Sequence, residues 1–235
     1  EIADCLRGYA EAMGKNPRRV LRAEMEKAGV TPSYGGPFMT MFREGLYLLM
    51  WNHEYGVSGI DAQDLTDATI QARAEIHKLV KALRSLGGRW EDLRLVLTAD
   101  RIGTREGRRI HGVATVDQEF LREGCSVPDP ICEGRYPIDV HHLGRHVEFD
   151  RFRVRPYQIP YRALVARDVD GLMMAGRCIS GDFIAHSSYR VTGDASTTGE
   201  AAGLAAYLCA RDGILPKELQ YAKLAPLLPE DYDQS

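Results

Sequence analysis

The sequence predicts an α/β protein, and three observations carry that reading. Residues 172 to 175, Leu-Met-Met-Ala, form a short apolar run that stops at Gly176, as a buried strand does. A helix follows from about Ala195 to Arg211, with Gly199, Ala202, Gly203 and Ala206 recurring on one stripe. A second, longer helix is written over Asp61 to Leu86, where Leu65, Ala68, Ala72, Ile76, Leu79, Leu83 and Leu86 repeat at helical spacing. A stripe without bulk lets a helix backbone come close to a sheet or to a ligand, and the residues alone leave both open.

Taken in order, residues 1 to 28 read as one or two polar helices broken at Gly14-Lys15-Asn16-Pro17, with Val20, Leu21, Met25 and Ala28 as a buried face. Thr31 to Pro37 is a Gly- and Pro-containing loop. The apolar stretch from Phe38 to Trp51 fits either a strand pair turning at Gly45 or a buried helix. Asp61 is an N-cap type at the start of the long helix, and Gly87-Gly88 ends it. Leu93 to Thr98 and Arg108 to Val116 read as strands, and Gly124 to Arg155 as loops and short strands in which histidines concentrate. Gly213 is the natural C-cap of the last helix, Pro216 prevents its continuation, and Tyr221 to Ser235 reads as a peripheral tail.

Composition excludes several classes. Thirty basic and 33 acidic residues leave a net charge of -3, which gives no general affinity for nucleic acid or an anionic membrane. The longest bulky apolar run, Leu46 to Trp51, is far short of the ~20 residues that cross a bilayer. Cys5, Cys125, Cys132, Cys178 and Cys209 have neither a Cys-X-X-Cys pair nor zinc spacing, which favours reduced thiols and a cytoplasmic location.

Four motifs then stand in a recognisable order. They are Arg105-Glu106-Gly107-Arg108-Arg109-Ile110-His111-Gly112, Arg135-Tyr136-Pro137-Ile138-Asp139-Val140-His141, Tyr157 to Val165, and Ala175-Gly176-Arg177-Cys178-Ile179-Ser180 leading through Ala185-His186-Ser187-Ser188 and Arg190-Val191 to the small-residue helix. Over roughly residues 50 to 215 the chain resembles the FAD-dependent oxidoreductases with a glutathione-reductase-like nucleotide-binding domain. The resemblance implies that 156–220 is the C-terminal portion of the FAD-binding domain and 1–155 a mixed α+β substrate or cap region. Those enzymes open with a Gly-X-Gly-X-X-Gly turn whose helix holds the FAD pyrophosphate. No such turn occurs here, so the expected partner is an N-terminal dinucleotide-binding half, in the same longer chain or in a separate subunit. The oligomeric state is open, a homo-oligomer included.

The resemblance also implies roles. FAD would be held by Gly176, Arg177 and Ser180 and by the start of the last helix, Ala195, Ser196, Thr197, Thr198 and Gly199. Relatives often carry Met-Pro where this chain has Thr192-Gly193, and glycine restores a backbone donor that proline lacks. His141 and His186 are the expected proton-transfer groups, because imidazole titrates near neutrality and can take a proton as hydride leaves a small-molecule substrate. Asp139 would orient His141, while Arg105, Arg109 and Arg190 would bind anionic groups through their planar forks. Two rival readings are a non-catalytic or regulatory flavoprotein subunit and a metal-dependent hydrolase using Asp139, His141, His142 and His146. Consecutive histidines on a strand face opposite ways, which weighs against the metal reading.

Overall fold

The computed structural model describes residues 11, 16–141 and 152–229. Its architecture is mixed, with helices and two small antiparallel sheets. The chain forms two compact units that divide at Gly103/Thr104; the boundary suggested near residue 155 lies inside the second unit.

In the first unit, helix α1 (Pro17–Lys27) starts at Asn16, whose side chain accepts from the Arg18 amide, and buries Val20, Leu21 and Met25. Phe38 to Trp51 is the strand pair and not the helix. Strand β1 (Phe38–Arg43) turns through Gly45 at φ +71° into β2 (Leu46–Met50). Helix α2 (Ala62–Ser85) is capped as the sequence indicates: Asp61 Oδ1 accepts from the amides of Gln63 and Asp64 at 2.9 Å each. Leu79, Val80 and Leu83 of α2 join Val20, Leu21, Met25, Trp51 and Trp90 in one core. Each such side chain contributes about 1.5–3 kcal/mol on burial. Leu93 to Thr98 forms no strand; Val96 and Leu97 are exposed, and among the described residues no neighbouring segment pairs with them.

The second unit carries the chemistry-bearing residues. Short helix α3 (Gln118–Glu123) is capped by Asp117, within a region that shows no helical period. Strand β3 (Pro130–Gly134) pairs antiparallel with β4 (Tyr157–Pro160). Arg108 to Val116 is extended but is not a regular strand, because its amides alternate between two partners. Ile110 and Val116 donate to the carbonyls of Cys178 and Ser180, whereas Val113 and Ala114 donate to those of Val165 and Arg162. The expected strand at 172–175 reduces to one bridge, Val165 with Met173. Helix α4 (Phe183–Tyr189) was not visible as a helix in the sequence, and α5 (Thr192–Asp212) begins three residues before the expected start.

The core of this unit lies between the β3/β4 pair and α5, where Ile131, Ile159, Leu164, Ala201, Ala205 and Leu208 are buried together. Leu224, in the short helix Tyr221–Leu224, is fully buried in the same core, so this part of the expected tail is packed. Packing leaves no room at Gly181: a Cβ there would lie 2.4 Å from the hydroxyl and 2.6 Å from Cε1 of the buried Tyr189. Gly181→Ala is therefore expected to cost about 1–3 kcal/mol. Chemical denaturation checks this, and an unchanged midpoint would contradict it.

Candidate active site

Asp182 determines where α4 begins. Its Oδ1 accepts from the Ala185 amide at 2.7 Å and its Oδ2 from the Gln118 amide at 2.9 Å. From that start, His186 and Arg190 fall one turn apart on the same side, and both reach Glu106. Glu106 Oε1 accepts from His186 Nδ1 at 3.1 Å and from Arg190 Nη1 at 2.8 Å, while Oε2 accepts from Arg109 Nη1 at 3.0 Å.

A second carboxylate extends the network. Asp139 accepts from Arg105 Nη1 at 3.4 Å and from His141 Nε2 at 3.0 Å, and its backbone carbonyl accepts from Arg190 Nη2. Arg190 thus links the two centres. His141, His186, Arg105, Arg109 and Arg190 all belong to one cluster, with Asp139 beside His141 as expected. Three guanidiniums against two carboxylates leave one excess positive charge when the imidazoles are neutral.

Sequence reasoning missed the central residue, Glu106. Burial pushes its carboxyl upward, but the hydrogen bond with His186 and the charges of His186, Arg190 and Arg109 outweigh that and hold it below the usual carboxylate range. An ionised carboxylate only accepts, so the proton of a neutral His186 sits on Nδ1 and leaves Nε2 as a bare lone pair. That Nε2 is fully buried and has no hydrogen-bond partner among the described residues. A buried polar atom without a partner points to a ligand, a water or a catalytic role.

Of the residues expected to bind the cofactor, Gly176 meets the start of α5, to which Ala195, Ser196, Thr197, Thr198 and Gly199 belong, whereas Arg177 and Ser180 have partners elsewhere. Gly176, at φ +62°, opens a 3-10 turn, and its amide donates to Thr198 Oγ1 at 2.9 Å. A Cβ on Gly176 would come within 3.3 Å of Ala195 Cβ, so the turn and the helix are closely apposed. Thr198 is buried and donates to the Asp194 carbonyl at 2.7 Å; its hydroxyl braces the turn from inside. Ser180 is buried too, its hydroxyl paired with Thr115 Oγ1 at 2.9 Å, and Thr197 is half-buried. Arg177 is exposed and donates to the Thr104 carbonyl. Ser196 is exposed, and Ala195 and Gly199 are half-buried.

Because α5 starts at Thr192, its unpaired donors are the amides of Thr192, Gly193 and Asp194, and not those of Ala195 to Gly199. The Ala195 amide already donates to the Val191 carbonyl at 3.0 Å. Val191, at the N-cap, has no side-chain acceptor to offer.

The glycines of the small-residue stripe lie away from the core, while Ala202 packs against its edge. Thr198, Ala201, Ala205, Leu208 and Cys209 form the buried side of α5, whereas Gly203 and Ala206 are exposed and Gly199 and Ala202 half-buried. A Cβ added to Gly199 or Gly203 would meet nothing within 4 Å. Tight packing within the chain therefore does not account for these glycines. An open, side-chain-poor helix face with unpaired amides at its start suits a flat, phosphate-bearing dinucleotide.

No group of three or more His, Cys, Asp or Glu gathers as a metal site among the described residues, and His142 and His146 lie outside them. No described helix is long and apolar enough to cross a membrane. The family model described as FAD dependent oxidoreductase matches residues 4–228.

The chain belongs to the FAD dependent oxidoreductase family. Its cofactor is accordingly FAD and its chemistry flavin-linked oxidation and reduction. No curated protein and no solved structure matches the chain. Within the family match lie all the motifs on which the resemblance rests, from Arg105 to the end of α5.

Proposed function

We propose that this family member transfers hydride between a small organic substrate and FAD, with His186 as the proton-transfer residue. The observation that carries the reading is the buried Nε2 of His186, without a hydrogen-bond partner among the described residues, with Glu106 at its Nδ1. When bound, FAD supplies the two-electron acceptor or donor.

The remaining work falls to the chain. His186 Nε2 accepts a proton from the substrate's hydroxyl group, and the imidazolium that results faces the Glu106 carboxylate. Arg190 and Arg109 fix that carboxylate, so its charge is already oriented when the imidazole becomes cationic. Burial keeps bulk water from competing for the proton. His141, held by Asp139, and Arg105 border the same cluster and would position the substrate's polar or anionic groups.

The open face of α5 at Gly199 and Gly203, with the amides of Thr192 and Gly193, would hold FAD; Gly176, Arg177, Ala195 and Ser196 belong to the two elements that meet there. Ser180 and Thr198 would act indirectly, since their hydroxyls have partners within the chain, and Thr197 lies in the first turns of α5 beside them. We infer further that a dinucleotide-binding half, in the same polypeptide or in another subunit, supplies the pyrophosphate turn, because these 235 residues contain no Gly-X-Gly-X-X-Gly.

Anaerobic mixing of the flavin-loaded protein with hydroxylated and unsaturated small molecules tests the reaction type. The expected result is loss of oxidised-flavin absorbance with one compound class, slowed when the reacting carbon carries deuterium. A flavin that never bleaches, or bleaches with no sensitivity to deuterium in a single turnover, would contradict hydride transfer.

A further inference from the structure

Beside the Glu106 cluster, and sharing Arg109 with it, lies a cleft of about 370 Å³ whose lining includes Arg109, His111, Gly112, Thr115, Arg167 and Ser180. Two guanidinium groups and one imidazole line it, and no carboxylate does. Acidic partners exist, but they engage only part of each cation. Glu106 takes Arg109 Nη1 at 3.0 Å, and Asp168 takes Arg167 Nε at 3.2 Å and lies 3.6 Å from His111 Nδ1. Arg109 Nε and Nη2 and both terminal nitrogens of Arg167 make no hydrogen bond among the described residues. Asp168 thus engages Arg167 at Nε and leaves both its terminal nitrogens open, while Glu106 takes one terminal nitrogen of Arg109 and leaves Nη2 and Nε open.

The cleft wall is also held in register. The Arg167 amide donates to the His111 carbonyl at 2.8 Å, so the two residues sit on directly bonded segments. Gly112 has no room for a side chain: a Cβ would lie 2.6 Å from Ser180 Cβ and 2.7 Å from the Ala114 carbonyl. Guanidinium groups over a close-packed floor favour a compact oxyanion, because a guanidinium pairs with carboxylate or phosphate through two parallel hydrogen bonds.

We propose that this cleft is an oxyanion subsite, taking the carboxylate or phosphate group of an acidic small molecule through Arg109, His111 and Arg167. That this molecule is the substrate of the flavin reaction rests on the function proposed above; the anion site itself does not. Glu106 ties the two sites together, since it holds both Arg109 in the cleft and His186 in the proton-transfer centre.

Calorimetric titration of the protein with inorganic phosphate and with succinate tests this. Saturable binding of at least one anion is expected, weakened about tenfold in Arg167→Gln, the loss of one charge-assisted contact. His111→Gln is expected to weaken it as well. Both residues are exposed, so neither substitution threatens the fold. Absence of saturable binding, or equal affinity in wild type and Arg167→Gln, would overturn the subsite. Repeating the titration with saturating FAD separates the sources: anion binding that survives supports a separate small-molecule site, whereas full competition would assign the cleft to cofactor phosphate and refute it. A protein that binds the anions but never FAD would leave the subsite standing and remove the flavin reading.

Discussion

Replacing Glu106 by Gln is expected to slow flavin reduction by substrate about 10²- to 10⁴-fold, the range for loss of an effective acid-base group. The substitution preserves shape but removes the charge that holds the His186 Nδ1 proton and stabilises the imidazolium. Gln can offer an amide donor where the acceptor stood, which inverts the preferred imidazole tautomer. His186→Asn should fall in the same range, and the double variant should be little worse than either alone, because the two residues act as one unit. Single-turnover rates compared with FAD affinity check this. A large loss of FAD binding with normal turnover of the loaded fraction would recast Glu106 as purely structural.

The second large effect concerns stability. Asp194 lies in the first turn of α5, where the helix end favours a negative charge, yet burial dominates and pushes its carboxyl up to about 7. Its Oδ2 is buried and has no hydrogen-bond partner among the described residues. The sign follows from linkage. The folded state holds this proton more tightly than the unfolded chain, whose value is 3.8, so the stabilisation is complete below pH 3.8 and is lost as pH rises towards 7. The span is worth about 4 kcal/mol without screening and about half that for a group partly open to solvent. Cys132, pushed by burial to about 12, and Tyr157, pushed higher still, stay neutral throughout and add no slope of their own. Asp194→Asn should therefore raise the melting temperature at pH 8 and flatten the stability profile between pH 4 and 7. A variant with the wild-type slope would contradict this account.

How far the sequence could be read depended on whether the forces were local. Helix α2 was legible almost to the residue, since its cap at Asp61, its apolar period and its glycine stop lie within the segment. Helix α4 was not, because Ile184 to Tyr189 are all buried and so show no amphipathic period; a single cap, Asp182, fixes its start. The start of α5 was misjudged for a related reason: Val191 is a poor cap and Gly193 reads as a break, yet the helix runs through both. Leu93 to Thr98 alternates like a strand, but alternation does not provide a partner to pair with.

The candidate site was legible as residue types and not as an arrangement. Histidines and arginines announce acid-base and anion chemistry wherever they occur. Glu106 was hidden among Arg105, Arg108 and Arg109, although as the single acidic residue between Thr104 and Gly112 it was the natural counter-charge. Its long-range partners, 80 and 84 positions away, follow only from the fold. The small-residue stripe was legible, but its direction was not. That its glycines face away from the core could be learned only from the packing of Ala201, Ala205 and Leu208 on the opposite side.

The central claim is that the open face of α5 receives FAD, and the flavin content of the Gly199→Leu and Gly203→Leu variants, purified in the protein's natural assembly, tests it most directly. Leucine is a better helix former than glycine, and a Cβ at either position meets nothing within 4 Å, so the fold should be retained or slightly stabilised. The account predicts folded variants whose bound FAD falls at least about tenfold, the effect of losing roughly 1.4 kcal/mol of binding. Folded variants that retain the full wild-type complement of FAD would contradict it.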